Sequence, residues 1–176
     1  MNGPIRGTLF NEEIYETGAE LNANNFCNLA VEAEMAIKVD AGANITSVFP
    51  IIELHNFVFR APNKTLSELI ANNGLNRGLV TSAEIWEKPP DFYENKLSLS
   101  LEINGSEMDS GELWAMEGGP VSSLHWLQNH LADHDLTILP GNIILGGTVL
   151  GLYKVRAGDR IDVKLDGEKA VNCSIN

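Results

Sequence analysis

The chain has 176 residues, of which 44% are hydrophobic and 20% charged, a composition that suits one globular domain with its own core across residues 1–176. With 24 acids against 12 Lys and Arg the formal charge is −12, which excludes a nucleic-acid partner held by phosphate contacts and disfavours anionic membranes. Cys27 and Cys173 are the two cysteines, too few and too far apart for a disulfide framework or a zinc knuckle.

The start, Met1-Asn2-Gly3-Pro4-Ile5-Arg6, lacks the charged and apolar regions of a signal peptide. No apolar run approaches a membrane span, so the sequence predicts a soluble, cytoplasmic protein. The first informative stretch is Val31-Glu32-Ala33-Glu34-Met35-Ala36-Ile37. Its alternation predicts a strand, with Glu32 and Glu34 on one face and Val31, Ala33, Met35, Ile37 and Val39 on the other. Two like charges about 7 Å apart on one strand face repel each other. A hard divalent cation resolves that conflict through oxygen ligands; a solvated acidic face resolves it too. Glu53, set among apolar neighbours in Val48-Phe49-Pro50-Ile51-Ile52-Glu53-Leu54, marks either a strand end or a partnered buried site. With Glu32 and Glu34 it would complete a three-carboxylate cage.

Thr65 to Asn72 predicts a short helix. Thr65 and Glu68 suit a capping box, and Leu66, Leu69 and Ile70 are expected to form its buried face. The polar run Asn72, Asn73, Gly74 and Asn76 follows as a helix end and loop. Leu97 to Ile103 alternates like a strand and meets a hairpin signal at Asn104-Gly105. Val121 to His134 carries Leu124, Leu127 and Leu131 at helical spacing behind Pro120. His130 and His134 are i,i+4 neighbours on that helix, but no general-base Glu lies between them. A solvated helix terminus is the better explanation of them. Ile143-Ile144-Leu145 predicts a short strand closed by Gly146-Gly147-Thr148, where backbone N–H groups and a hydroxyl could meet an anion or simply make a tight turn. The tail predicts a second hairpin, from Ile161–Leu165 through Asp166-Gly167 to Ala170–Ile175. The sum is a mainly β chain with two helices, an α+β class.

Taken in order, these segments resemble the fumarylacetoacetate hydrolase superfamily, most closely its branch of 2-oxopent-4-enoate hydratases and 4-oxalocrotonate decarboxylases. The resemblance runs through Arg6-Gly7-Thr8-Leu9-Phe10, Val31 to Ala36, Pro50 to Leu54, Leu69 to Asn73, Gly118-Gly119-Pro120-Val121, Pro140 to Thr148 and Val155 to Ile161. It implies a fumarylacetoacetase C-terminal-like mixed β-roll or barrel, with the helix from Val121 packed outside. It also implies that Glu32, Glu34 and Glu53 ligate Mg²⁺ or Mn²⁺, and that Thr148 and Asn73 meet the substrate. The activity implied is a metal-dependent lyase, hydratase or decarboxylase in type, acting on a small 2-oxo acid through a metal-stabilised enolate. A homo-oligomer is expected, with hetero-association with another family member as a further option.

The departures define a second reading. The resemblance implies a catalytic lysine in an N-terminal segment that this sequence, beginning later, does not show. Arg6 is the only basic residue before Glu32, and Lys64 matches no motif. The stretch from Glu34 to Glu53 is short, and Val149-Leu150-Gly151-Leu152 replaces a Gly-Pro pair after Thr148. The catalytic acid/base is therefore unassigned. The alternative is a non-catalytic or weakly active shortened paralogue that binds a 2-oxo acid or serves as a subunit partner.

Overall fold

A computed structural model describes residues 4–58, 65–82 and 97–176, so Lys64 lies outside the described residues. In chain order the elements are β1 (Ile14–Glu16), β2 (Ala19–Leu21), β3 (Leu29–Val39), β4 (Ile45–Asn56), α1 (Leu66–Ala71), β5 (Asn76–Thr81), β6 (Ser98–Ile103), β7 (Ser106–Glu112), α2 (Gly119–Ala132), β8 (Ile143–Leu145), β9 (Tyr153–Lys154), β10 (Arg160–Leu165) and β11 (Glu168–Ile175). One sheet runs β1-β5-β4-β3-β8, with β9 also on β3, and the other runs β2-β11-β10-β6-β7. β1 pairs parallel with β5, and β2 with β11. The remaining ladders are antiparallel. This is the mainly β, mixed-sheet architecture with two helices that the sequence predicts.

The two sheets enclose the main core. From the first come Val31, Ala33, Met35, Ile37, Val48, Ile52 and Leu54. From the second come Leu99, Leu101, Ile161, Val163, Val171, Cys173 and Ile175. The apolar half of the β3 alternation thus faces the second sheet. The other half, with the two acids, faces outward, yet it is covered as well. Ala36, Phe49, Ile51 and Leu79 form a smaller buried cluster there, with Leu9, Ile14, Ile143 and Leu145 packed against it. β3 is therefore buried on both faces, which leaves little room for a solvated acidic surface.

Both hairpins form where the sequence places them. Asn104 and Gly105 take φ values of 54° and 78°, and Asp166 and Gly167 take 49° and 85°. These left-handed pairs match the twist of the flanking strands. Gly78 is required by a close approach: at φ 109° its absent Cβ would lie 2.1 Å from the Glu13 carbonyl oxygen, at the entry to β1.

The helices differ in detail from expectation. α1 has the predicted capping box, with the Thr65 hydroxyl accepting from Glu68 N and the Glu68 carboxylate accepting from Thr65 N at 2.8 Å. Its expected apolar face is not buried, however. Leu66 is 48% exposed and Ile70 58% exposed, because within the described residues this short helix packs mainly on the turn that follows it. α2 begins at Gly119, so Pro120 lies inside its first turn, where a missing N–H costs nothing. The helix ends at Ala132, leaving His134 beyond it. Among the described residues no helix is long and apolar enough to cross a membrane.

The two thiols sit in opposite environments. Cys27 is exposed, whereas Cys173 is buried, and burial followed by the charge of Asp162 pushes its thiol up to about 12. Since the thiolate is the reactive form, a maleimide is expected to label one thiol per folded chain quickly. The second should react at least about 100-fold more slowly until denaturant is added. Two equally fast thiols in native protein would contradict the burial of Cys173.

Candidate metal and oxo-acid site

The β3–β4 register places Glu32 directly opposite Glu53, so their side chains rise from the same, outward face of the first sheet. Glu34 is the next outward residue on β3, and His55 the next on β4. A register shift in the β4–β5 ladder then sets Asn76 opposite His55. The three predicted acids therefore come together. Between them lies a residue the sequence reading passed over: His55 Nε2 is 3.3 Å from a Glu32 oxygen and 3.2 Å from a Glu53 oxygen. Ligand atoms of Glu32, Glu53 and His55 all lie within 4.8 Å of one another. The cue in the sequence was simple, since His55 follows Glu53 by two, as Glu34 follows Glu32.

Each acid is held differently. Glu53 accepts a hydrogen bond from Asn76 Nδ2 at 2.7 Å. Burial would raise its carboxyl, but the contacts with His55, together with hydrogen bonds from Glu34 and Asn76, outweigh that and hold it below the usual range. Glu34 is buried beside it and accepts a hydrogen bond from Gly147 N–H. Burial first, and then the charge and hydrogen bond of Glu53, push the Glu34 carboxyl well above the usual range against the pull of Gly147. Burial alone would lower His55; its contacts with Glu32 and Glu53 prevail and raise it to about 9.

These donors suit a divalent ion. Buried like charges want a counter-charge, and carboxylate oxygens are what Mg²⁺, Ca²⁺ and Mn²⁺ prefer. The imidazole is also incompletely satisfied. Neither close Nε2 contact has hydrogen-bond alignment, and Nδ1 is buried with no partner. Ligand atoms of Glu32 and Glu53 lie close enough together to share one ion, and Glu34 stands beside Glu53 on the same face. His55, which supplies the positive charge at this point, would have to give up its Nε2 proton before it could join them.

The acids line one wall of a cavity of about 620 Å³, within the range of small-molecule sites. The rest of the wall comes from distant parts of the chain. Pro4 to Gly7 and Leu9 contribute from the N-terminal segment, Ser123, Trp126 and Leu127 from α2, and Ile143 to Thr148 from β8 and the turn after it. Thr148 and Asn73 both line it. Thr148 Oγ1 accepts from Leu150 N at 3.1 Å. The Asn73 amide is engaged with the N-terminal segment, its Oδ1 accepting from Thr8 N at 2.6 Å and its Nδ2 donating to Thr8 O at 2.8 Å. The helix histidines do not converge on a ligand. His130 stacks on Trp126 at 5.1 Å, and His134 meets His130 edge to face at 5.0 Å.

An outward acidic face roofed by an N-terminal segment, a helix and a glycine turn defines a mixed-sheet protein built around a carboxylate-lined cavity. Residues 28–175 match the model of the fumarylacetoacetate (FAA) hydrolase C-terminal family, and the chain belongs to that family. It is 25% identical over 189 residues to 2-oxo-hept-4-ene-1,7-dioate hydratase of Escherichia coli, covering 97% of this chain and 70% of that one. It is 31% identical over 178 residues to 2-hydroxyhexa-2,4-dienoate hydratase of Comamonas testosteroni, covering 93% and 67%. The solved structure of 4-oxalocrotonate decarboxylase from Pseudomonas putida G7, complexed with magnesium and adipate, has the same fold. Its TM-score is 0.90 at 23% identity, over 99% of this chain and 71% of that one. The chain thus spans about two thirds of the length of the curated relatives it matches.

Proposed function

We propose that this chain is a divalent-metal-dependent lyase, of hydratase or decarboxylase type, whose substrate is a small 2-oxo acid. The observation that carries the reading is the convergence of Glu32, Glu34, Glu53 and His55 on the wall of a 620 Å³ cavity in a member of a family whose matched relatives are named as hydratases and decarboxylases. Magnesium, calcium and manganese accompany solved relatives, and the oxygen-rich donor set here suits the same ions. Bound there, the ion would supply Lewis-acid polarisation of a 2-oxo group.

The chain's own residues do the rest. Glu53 is kept ionised by His55 and Asn76, ready to accept a cation. Gly147 N–H fixes the Glu34 carboxyl in place. Thr148, next in the turn, offers a hydroxyl at the cavity wall where a substrate carboxylate can be met. Trp126, Leu127, Ile143 and Leu145 give that wall its apolar surface, which limits water around the bound acid.

Mg²⁺ or Mn²⁺ is expected to raise the Tm of the purified chain, and oxalate to raise it further only when the metal is present. A ligand at 100 times its Kd adds about 2.7 kcal/mol, which for a chain of this size is a rise of roughly 5–10 °C. A wild-type melting curve indifferent to both ions would end the metal reading. One observation favours the non-catalytic alternative: the described residues lining the cavity include Arg6 and His55 but no lysine. Turnover of 2-hydroxypenta-2,4-dienoate by the metal-loaded chain alone separates the two. Measurable hydration or cleavage supports the lyase, and metal-dependent binding without turnover supports the binding protein.

A further inference from the structure

Among the described residues Arg6 is the one arginine on the cavity wall, and it takes no part in the acid cluster. Its side chain is partly buried, and Nη1 is fully buried with no hydrogen-bond partner. Among the described residues it makes no ion pair, although Glu32, Glu34 and Glu53 line the same cavity. A guanidinium N–H group that is buried without a hydrogen-bond partner is costly.

Its position is enforced from the backbone. The Asn73 amide grips both the N–H and the carbonyl of Thr8. Gly7 lies so close to Asn73 that a Cβ on it would come within 2.9 Å of the Asn73 carbonyl oxygen. Asn73 itself, with Gly74 and Leu75, is turned back in the left-handed region, so the grip comes from a tight, ordered reversal after α1. Asn73 therefore acts on the site as a positioning residue, holding the segment that carries Arg6 against the cavity. The cavity thus presents two poles: a cluster of acids, and a separate guanidinium that forms no salt bridge with them. A planar guanidinium is matched to a carboxylate through paired N–H donors.

We infer that Arg6 is the specificity-determining anion hook of this cavity, receiving the distal carboxylate of a ligand whose 2-oxo acid end sits at the Glu32–Glu34–Glu53 wall, so that the ligand class is the 2-oxo dicarboxylic acid. This inference rests on the metal and oxo-acid reading above and narrows it, since the two relatives described as hydratases are named for a dioate and for a monocarboxylate.

The test is calorimetric titration of the chain in Mg²⁺ with two six-carbon acids, 2-oxoadipate and 2-oxohexanoate, which differ only in the distal carboxylate. Wild type is expected to bind the diacid at least about 10-fold more tightly, the scale of one charge-assisted bidentate contact. In Arg6→Gln the diacid should fall to the affinity of the monoacid. Arg6→Lys, which keeps the charge and loses the fork, should retain a preference of a few-fold; it serves as the second variant should Arg6→Gln fail to fold by circular dichroism. Equal binding of the two acids by wild type would overturn the hook while leaving the metal site standing. So would a preference that survives Arg6→Gln, or an equal loss for both acids, which would place Arg6 at the metal-end carboxylate. Failure of both acids to bind, with no response to Mg²⁺, would remove the reading beneath it as well.

Discussion

Replacing Glu34 with glutamine is expected to leave the metal-free chain at least as stable as wild type while removing most of its response to Mg²⁺. The amide is nearly isosteric with the carboxyl, and its oxygen can still accept the Gly147 N–H. Its NH₂ can donate to the ionised Glu53 beside it. What disappears is a buried acid next to two others, whose desolvation and like-charge repulsion oppose folding in the absence of a cation. With a cation present the balance reverses, because the negative charge that holds the ion is gone. Even partners that only orient a ligand change metal affinity by about 10–100-fold when mutated. If the loss is about 100-fold, a concentration that saturates wild type only half-fills the variant, and the gain in stability shrinks from about 2.7 to about 0.4 kcal/mol. Paired melting curves with and without Mg²⁺ read both effects. A variant destabilised without metal yet fully responsive to it would show that Glu34 is a structural group and no ligand.

That double expectation was only half legible in the sequence. Alternation around Glu32 and Glu34 settles which residues share a face, but it does not say what the face meets. The opposing strand decides that, and its register turns on one residue. Val39 pairs with Ile45, whereas Lys38 pairs with Ser47, so the hairpin carries an irregularity beside its turn. Without it, continuing the Val39–Ile45 register would set Glu53 opposite Val31, on the core face, and the cage could not form. No composition or spacing rule announces such a slip. The apolar setting of Glu53 makes it a candidate for the cage, and the family resemblance implies its role as a ligand.

His55 was available from periodicity alone, two residues past Glu53 on the same strand. His130 and His134, at i,i+4 spacing, look more like a ligand pair than they are. The structure gives those rings a packing role instead, His130 stacking on Trp126 and His134 meeting His130 edge to face. The resemblance places Asn73 at the substrate, but its grip on the segment that carries Arg6 is not legible in the sequence, for it passes through Thr8, 65 residues from Asn73 in the chain. The exposed stripe of α1 has a plainer cause: Leu66, Leu69 and Ile70 share helical spacing, but a helix of six residues buries its stripe only if another element lies over it.

Gly146→Ala should damage fold and site together, by a route opposite to that of Glu34→Gln. Gly146 is held on three sides. Its N–H donates to Met35 O at 3.0 Å, its carbonyl accepts from Ser123 Oγ at 2.7 Å, and the Trp114 ring closes the third. An added Cβ would sit 2.3 Å from Trp114 Cζ3 and 2.8 Å from Cε3, and Trp114 is only 1% exposed, so the ring has no room to yield. Overpacking of this kind costs about 1–3 kcal/mol, and with an indole as the obstacle the upper end is expected, lowering Tm by roughly 6–12 °C. The turn is the part freest to move, and it carries Gly147 N–H away from Glu34 and takes Thr148 with it. Mg²⁺ stabilisation should therefore fall even though every acid is intact. A double-mutant cycle identifies the cause: Trp114→Leu opens space where the added methyl group needs it, so the pair should be more stable than the sum of the single changes by about 1 kcal/mol or more. Additive losses within about 0.5 kcal/mol would mean that the ring is not the obstacle. A full Mg²⁺ response in Gly146→Ala would mean that the turn does not set the acid wall. If both expectations hold, the Gly147–Glu34 contact is the joint through which the core positions the metal site, reached from the charge side by one variant and from the packing side by the other.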